Sequence, residues 1–135
     1  GSMDAKNSRA KDIMVTDVKT IGKGVTLFEA AGMMKNFGVS SLVVEPDGDW
    51  DAFAIITRKD IVEALIEDTT GRPAHVVGDV MSKPAVTVNM ALSIYNCQLM
   101  MRMIGVRRLP VVDGNKLVGI LSNSDIFRKL VEGIS

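Results

Sequence analysis

Ile104-Gly105-Val106-Arg107-Arg108-Leu109-Pro110-Val111-Val112-Asp113-Gly114 leaves an apolar helical pattern, turns at a glycine and shows two adjacent arginines. It then runs into an apolar strand that ends in Asp-Gly. Glycine is the residue a helix uses for a left-handed C-terminal position, and Asp-Gly beside apolar runs is a hairpin signal. Two cations at the mouth of a strand, with no acid beside them in sequence, suit a phosphate. The stretch decides the fold because it has a counterpart 67 positions earlier, Gly38-Val39-Ser40-Ser41-Leu42-Val43-Val44.

The correspondence extends in both directions. At the offset of 67, Asp12-Ile13-Met14 aligns with Asp79-Val80-Met81, Thr20-Ile21 with Thr87-Val88, and Met33-Met34 with Met100-Met101. After the hairpin the offset becomes 65, so Ala54-Ile55-Ile56-Thr57 meets Gly119-Ile120-Leu121-Ser122 and Asp60-Ile61 meets Asp125-Ile126. Registered matches over about 55 residues, with a single gap in a turn, establish an internal duplication.

Each copy reads β-α-β-β-α. A short extended piece (Val18 to Ile21; Ala85 to Val88) precedes a helix that starts at Thr26, with Glu29 three positions on, or at Ser93. Helical spacing of Leu27, Ala30, Ala31, Met34 and Phe37, matched by Ile94, Cys97, Met101 and Ile104, predicts the buried stripe. Two strands follow around a turn, tight at Asp113-Gly114 and longer and acidic over residues 46–51. A last helix is expected to point Ile61, Val62, Leu65 and Ile66 inward, matched by Ile126, Phe127, Leu130 and Val131. The expected layout is a tag remnant and N-terminal segment over residues 1–10, repeats over 11–67 and 78–133, and a linker over 68–77 containing Gly71 and Pro73. So small a repeat buries too little surface to stand alone. The expected fold is therefore α/β (α+β), with the two repeats packed sheet to sheet about a pseudo-twofold axis.

Composition excludes several functions. Sixteen basic and sixteen acidic residues cancel, which argues against nucleic-acid binding, because it usually shows as a basic face. One cysteine, Cys97, excludes an intrachain disulfide and a Cys-rich zinc site. No apolar run approaches the roughly 20 residues of a membrane span, and no signal peptide is visible. Gly1-Ser2-Met3 reads as a cleavage remnant before the native start, and the cytoplasm is the expected compartment. No activated nucleophile, His-carboxylate pair or metal cluster is visible, so no enzyme is expected and no catalytic residue or metal site is assigned.

At these residues the sequence resembles the CBS-domain pair, or Bateman module. The resemblance rests on the Asp-Ile-Met and Asp-Val-Met openings and on Gly-Val-Arg-Arg-Leu-Pro-Val-Val-Asp-Gly. It rests also on Gly-Ile-Leu-Ser-Asn-Ser-Asp-Ile and the first-copy echoes Gly-Val-Ser-Ser-Leu-Val-Val and Ile-Ile-Thr-Arg-Lys-Asp-Ile, over residues 11–133. It implies a standalone, non-catalytic regulatory module that binds an adenosyl ligand between repeats, forms a homodimer and signals to a downstream protein. AMP, ADP or ATP is the expected ligand. A sensor of NAD or S-adenosylmethionine, or a structural dimerisation module with vestigial clefts, is the alternative.

Carried over residue by residue, the resemblance implies two clefts. One joins Thr57 and Asp60 to Thr87, Arg107, Arg108 and Pro110. The other joins Ile120, Ser122 and Asp125 to Lys19, Thr20, Ser40, Ser41 and Val43. The chemistry suits these roles. One carboxylate, Asp60 or Asp125, can accept from both ribose hydroxyls. A Thr57 or Ser122 hydroxyl, helix N-terminal amides and arginine forks serve a phosphate, with Arg58 and Lys59 adding charge. The Asp60 cleft is the better equipped for phosphate. Val43 stands where the second copy has Pro110, and serines replace the arginines.

The same residues have plainer roles. Thr57-x-x-Asp60 and Ser122-x-x-Asp125 are also helix starts with a capping hydroxyl and an acid in the first turn, and the two roles coexist. Arg107-Arg108 is also what a surface ion pair looks like, worth at most about 1 kcal/mol. Met33, Met34, Met100, Met101 and Met103 read as core or interface packing, Cys97 as inert, His75 as alone, and Trp50 as a partial cover over the core.

Overall fold

The computed structural model describes residues 7–67 and 75–132. Positions 1–6 of the expected N-terminal segment, 68–74 of the expected linker and 133 of the second repeat lie outside the described residues. In chain order the elements are α1 (Ala10–Ile13), β1 (Thr20–Ile21), α2 (Leu27–Phe37), β2 (Ser41–Val44), β3 (Ala54–Thr57) and α3 (Arg58–Glu67). The same series recurs as α4 (Val77–Val80), β4 (Val88–Asn89), α5 (Ile94–Ile104), β5 (Arg108–Asp113), β6 (Lys116–Ser122) and α6 (Asn123–Glu132). The α/β class and the twofold recurrence are as the sequence predicts. Each series gains a one-turn helix at its head, and the leading strands shrink to two residues.

Local chemistry sets these limits. Thr26 Oγ1 accepts the Glu29 N–H at 3.2 Å and Ser93 Oγ accepts the Asn96 N–H at 3.2 Å, satisfying donors that a helix start leaves open. Helices α2 and α5 stop at glycines in the left-handed region, Gly38 at φ 66° and Gly105 at φ 79°, where a Cβ would be strained. The one-turn helices explain the Asp of each opening motif. Asp12 Oδ2 accepts the Arg9 N–H at 2.8 Å and Asp79 Oδ2 accepts the Val76 N–H at 3.1 Å.

The chain forms two compact units, a continuous one of Lys19–Ala85 and a split one of Gly1–Val18 with Val86–Ser135. In the continuous unit β1 pairs parallel to β2 (Thr20↔Val43) and β2 antiparallel to β3 (Ser41↔Thr57). Leu27, Leu42, Ile56 and Val77 are its fully buried centre. The split unit repeats this with β4–β5 parallel and β5–β6 antiparallel around Cys97, Leu109, Val111 and Leu121. The opening segments change places. Met81-Ser82, which head the second series, belong to the continuous unit, where Ser82 and Ile55 exchange backbone hydrogen bonds of 2.9 and 3.1 Å. Val15 makes the equivalent exchange with Ile120, at 2.9 Å in both directions, in the split unit. Gly119 permits that approach, because a Cβ there would lie 2.4 Å from Met14 Sδ.

Four expectations are corrected. The last helices do not turn all four apolar residues inward: Ile61 and Ile126 are buried, but Val62, Leu65, Ile66, Phe127, Leu130 and Val131 are exposed. A single helix laid on a three-stranded sheet has only a narrow inner stripe, and residues at i+1 and i+5 fall outside it; Leu65 and Leu130, at i+4, share the side of the buried isoleucines and are less exposed than Ile66 or Phe127. Phe37 and Ile104, at the ends of α2 and α5, are also exposed, as is Met103, while Met34 and Met101 join the cores. Trp50 covers no core, being 82% exposed. The tight hairpin forms one residue later than Asp113-Gly114: Asp113 still pairs with Lys116, leaving Gly114 and Asn115 as the turn. Only Gly114 has a positive φ, 60°, the sign pattern of a type II′ turn.

Candidate functional site

The two series build matching half-sites where β3 runs into α3 and β6 into α6. In the continuous unit the Thr57 N–H donates to Asp60 Oδ2 at 2.8 Å and the Asp60 N–H donates to Thr57 Oγ1 at 3.2 Å. In the split unit the Ser122 N–H and hydroxyl both donate to Asp125 Oδ2, at 3.0 and 2.7 Å, and Ser122 Oγ accepts the Asp125 N–H at 3.1 Å. Both are reciprocal caps of the kind that fix a helix start. The capping role is therefore present in both copies. All four residues are half-buried, so a ligand at the helix N-terminus still has access to them.

The remaining oxygen separates the copies. Asp125 Oδ1 accepts from Arg128, one turn along α6. The matching position in α3 is Glu63, which pairs with Lys59 at 3.8 Å, and among the described residues Asp60 Oδ1 has no partner. Sequence reasoning missed Arg128, although Asp125-Ile126-Phe127-Arg128 carries the i, i+3 spacing that brings such side chains together.

The segments after the helix glycines lie beside these caps. The Arg58 N–H donates to the Ser40 carbonyl at 2.9 Å, and the Asn123 N–H donates to the Arg107 carbonyl at 2.8 Å. The strand register sets Ser41 opposite Thr57 and Arg108 opposite Ser122. Thus Ser40 and Ser41 sit with Thr57 and Asp60 in one unit, and Arg107 and Arg108 with Ser122 and Asp125 in the other. Arg107 is exposed and Arg108 half-buried.

Other candidates are placed less freely. Val43 and Pro110 are fully buried in the central strands. Ile120 has its backbone taken by Val15, leaving its half-buried side chain. The Lys19 carbonyl accepts the Val43 N–H at 3.1 Å, and its ammonium lies 4.5 Å from the centre of the Phe37 ring. Thr20 and Thr87 are half-buried at the leading strands. Arg58 lines a groove of about 550 Å³ between α2 and α3, floored by Ala31, Met34, Val39 and Ile61.

Burial pushes the Cys97 thiol up to about 11, so little nucleophilic thiolate exists near neutral pH. His75 lies 4.0 Å from Asp79 Oδ2. Among the described residues no group of three or more His, Cys, Asp or Glu side chains is placed to hold a metal ion, and no helix is long and apolar enough to cross a membrane.

Comparison with known proteins agrees with this construction. The CBS domain model matches twice, over residues 10–67 and 77–132. CBS domain-containing protein YhcV of Bacillus subtilis is 36% identical over 120 residues, which are 88% of this chain and 83% of that protein. The hexameric CBS-CP12 protein of bloom-forming cyanobacteria superposes with a TM-score of 0.85 at 33% identity, over 95% of this chain and 72% of that one. The CBS domain pair of protein MJ0100, in complex with 5′-methylthioadenosine and S-adenosylmethionine, shares the fold with a TM-score of 0.81 at 22% identity, over 93% of this chain and 97% of that one. A duplicated α-β-α-β-β-α series with reciprocal caps at matching helix starts, and a family model that matches both copies, lead to one conclusion: the chain belongs to the CBS domain family, as a pair of CBS domains.

Proposed function

We propose that this CBS pair is a non-catalytic regulatory module of the cytoplasm that binds an adenine nucleotide, AMP, ADP or ATP, and passes the signal to a partner protein as a homodimer. The observation that carries the reading is Asp60. Its carboxylate is fixed by the Thr57 amide through Oδ2, while Oδ1 is left for a further donor such as a ribose hydroxyl. The Thr57 hydroxyl and the Lys59 amide suit an anion at a helix N-terminus, the Arg58 and Asp60 amides being held by Ser40 and Thr57.

In this proposal the repeats run over 11–67 and 78–133, and Thr87, Arg107, Arg108 and Pro110 complete the ligand's surroundings at Asp60. Ile120, Ser122 and Asp125, with Lys19, Thr20, Ser40, Ser41 and Val43, serve a second ligand. S-adenosylmethionine or NAD is the competing ligand class; MJ0100 carries the former on the same fold. A purely structural dimerisation module is favoured only by the exposed apolar residues of α3 and α6.

Thermal denaturation with millimolar AMP, ATP, NAD or S-adenosylmethionine separates these readings. A ligand at about 100 times its Kd adds roughly 2.7 kcal/mol. The proposal expects the largest rise with AMP or ATP, and a smaller nucleotide response in Arg107→Ala or Arg108→Ala with the adenosine response kept. No rise with any adenosyl compound would overturn it.

A further inference from the structure

The two copies differ most at the first hairpin. In the split unit β5 and β6 stay paired out to Asp113 and Lys116, whereas β2 and β3 part at Val44 and Ala54, leaving residues 45–53 as a loop. That loop is fastened from several sides. The Asp51 N–H donates to the Gly48 carbonyl at 3.0 Å and the Asp47 N–H donates to Asp51 Oδ2 at 2.9 Å. Lys83 holds Asp51 Oδ1 at 2.5 Å, Lys23 pairs with Asp47, and the Ala85 N–H donates to the Phe53 carbonyl at 2.8 Å.

At the tip of this anchored loop stands Trp50, 82% exposed. Its indole lies against Gly48, where a Cβ would meet Nε1 at 2.8 Å. The pyrrole part of the indole therefore sits by the loop backbone, and most of the side chain faces solvent. Glu45 and Asp49 are exposed, with no ion partner among the described residues. An exposed indole on a loop that also carries two such carboxylates, Asp49 beside it in sequence and Glu45 at the loop's start, matches a guanidinium, which stacks on indole and donates in a fork to carboxylates. Tryptophan is also among the residues most enriched at interface hot spots, and a loop already held in place loses little further freedom on binding.

We propose that this loop is a docking platform for an arginine-bearing segment of a partner protein, the guanidinium lying on the open face of Trp50 and bonded by Glu45 and Asp49. The proposal is independent of what the half-sites bind.

Trp50 is the chain's single tryptophan, so its emission reports on this loop alone. The test titrates the full chain with a fluorescently labelled hexa-arginine peptide at low ionic strength, reading Trp50 emission and peptide anisotropy, with a hexaglutamate peptide as control. The expected result is a saturable change in emission with the arginine peptide alone. Anisotropy should show binding weakened about threefold to fivefold in Trp50→Ala, and similarly in the Glu45→Gln/Asp49→Asn double variant. Unaltered emission, or binding unaffected by either variant, would overturn the proposal. Unchanged melting of the variants excludes loss of fold as the cause.

Discussion

Arg128 holds Asp125 Oδ1 across one turn of α6, while its counterpart in α3 is Glu63 and Asp60 keeps the matching oxygen without a partner among the described residues. Two half-sites that share a backbone construction thus differ in whether a cation holds the atom most suited to a ribose. The Asp125 carboxylate has a cation of its own to satisfy it, and any ligand hydroxyl there must compete with a charge-assisted bond.

This asymmetry predicts unequal loss on mutation. Calorimetric titration with AMP should find Asp60→Asn weakened about 10- to 100-fold, the range for removing hydrogen bonds to a charged group. Asp125→Asn should change affinity little, whereas Arg128→Ala, which frees Asp125 Oδ1, should strengthen binding at the second half-site. Asparagine keeps an oxygen for the capping amide, so both variants should remain folded. Equal losses at the two positions would refute the asymmetry.

Gly32 and Gly105 should respond to alanine with opposite signs. A Cβ at either meets nothing within 4 Å, so crowding plays no part. Gly32 lies inside α2, where alanine is favoured by roughly 0.5–1 kcal/mol. Gly105 caps α5 at φ 79°, where a side chain costs about 1–2 kcal/mol. Urea unfolding of Gly32→Ala and Gly105→Ala should move the midpoint up and down respectively. A shared direction would mean that the backbone conformation is not the deciding factor.

Most of the fold was legible because each signal occurred twice. One capping hydroxyl or one glycine is weak evidence, but Thr26 with Ser93 and Gly38 with Gly105 fix both ends of both helices. The one-turn helices at Ala10–Ile13 and Val77–Val80 were not legible, being too short to show a period. Their only mark was an aspartate whose capping role depends on geometry. Periodicity also overstated burial in α3 and α6, since it ranks residues by face but cannot say how wide a neighbour covers that face. At the half-sites, the residue types at Thr57, Asp60, Ser122 and Asp125 were readable, and so was their use as caps. The Arg128 contact lies one helical turn beyond the four-residue motif, and i, i+3 spacing alone does not say which carboxylate oxygen a guanidinium takes.

The Trp50 loop makes a prediction about acid. The Lys83 ammonium bonded to Asp51, helped by the Asp47 amide, holds that carboxyl at about 2, below the usual 3.8. Between those values the unfolded chain binds the proton and the folded one does not, so stability rises with pH across the window. The contribution is fully present above about pH 4 and is lost as pH falls through 2. Carboxyl-detected NMR titration should find Asp51 still ionised at pH 3, and Lys83→Met should return its midpoint towards 3.8 and flatten the acid limb of stability. A midpoint near 3.8 in the wild type would show that Lys83 does not anchor the loop in solution.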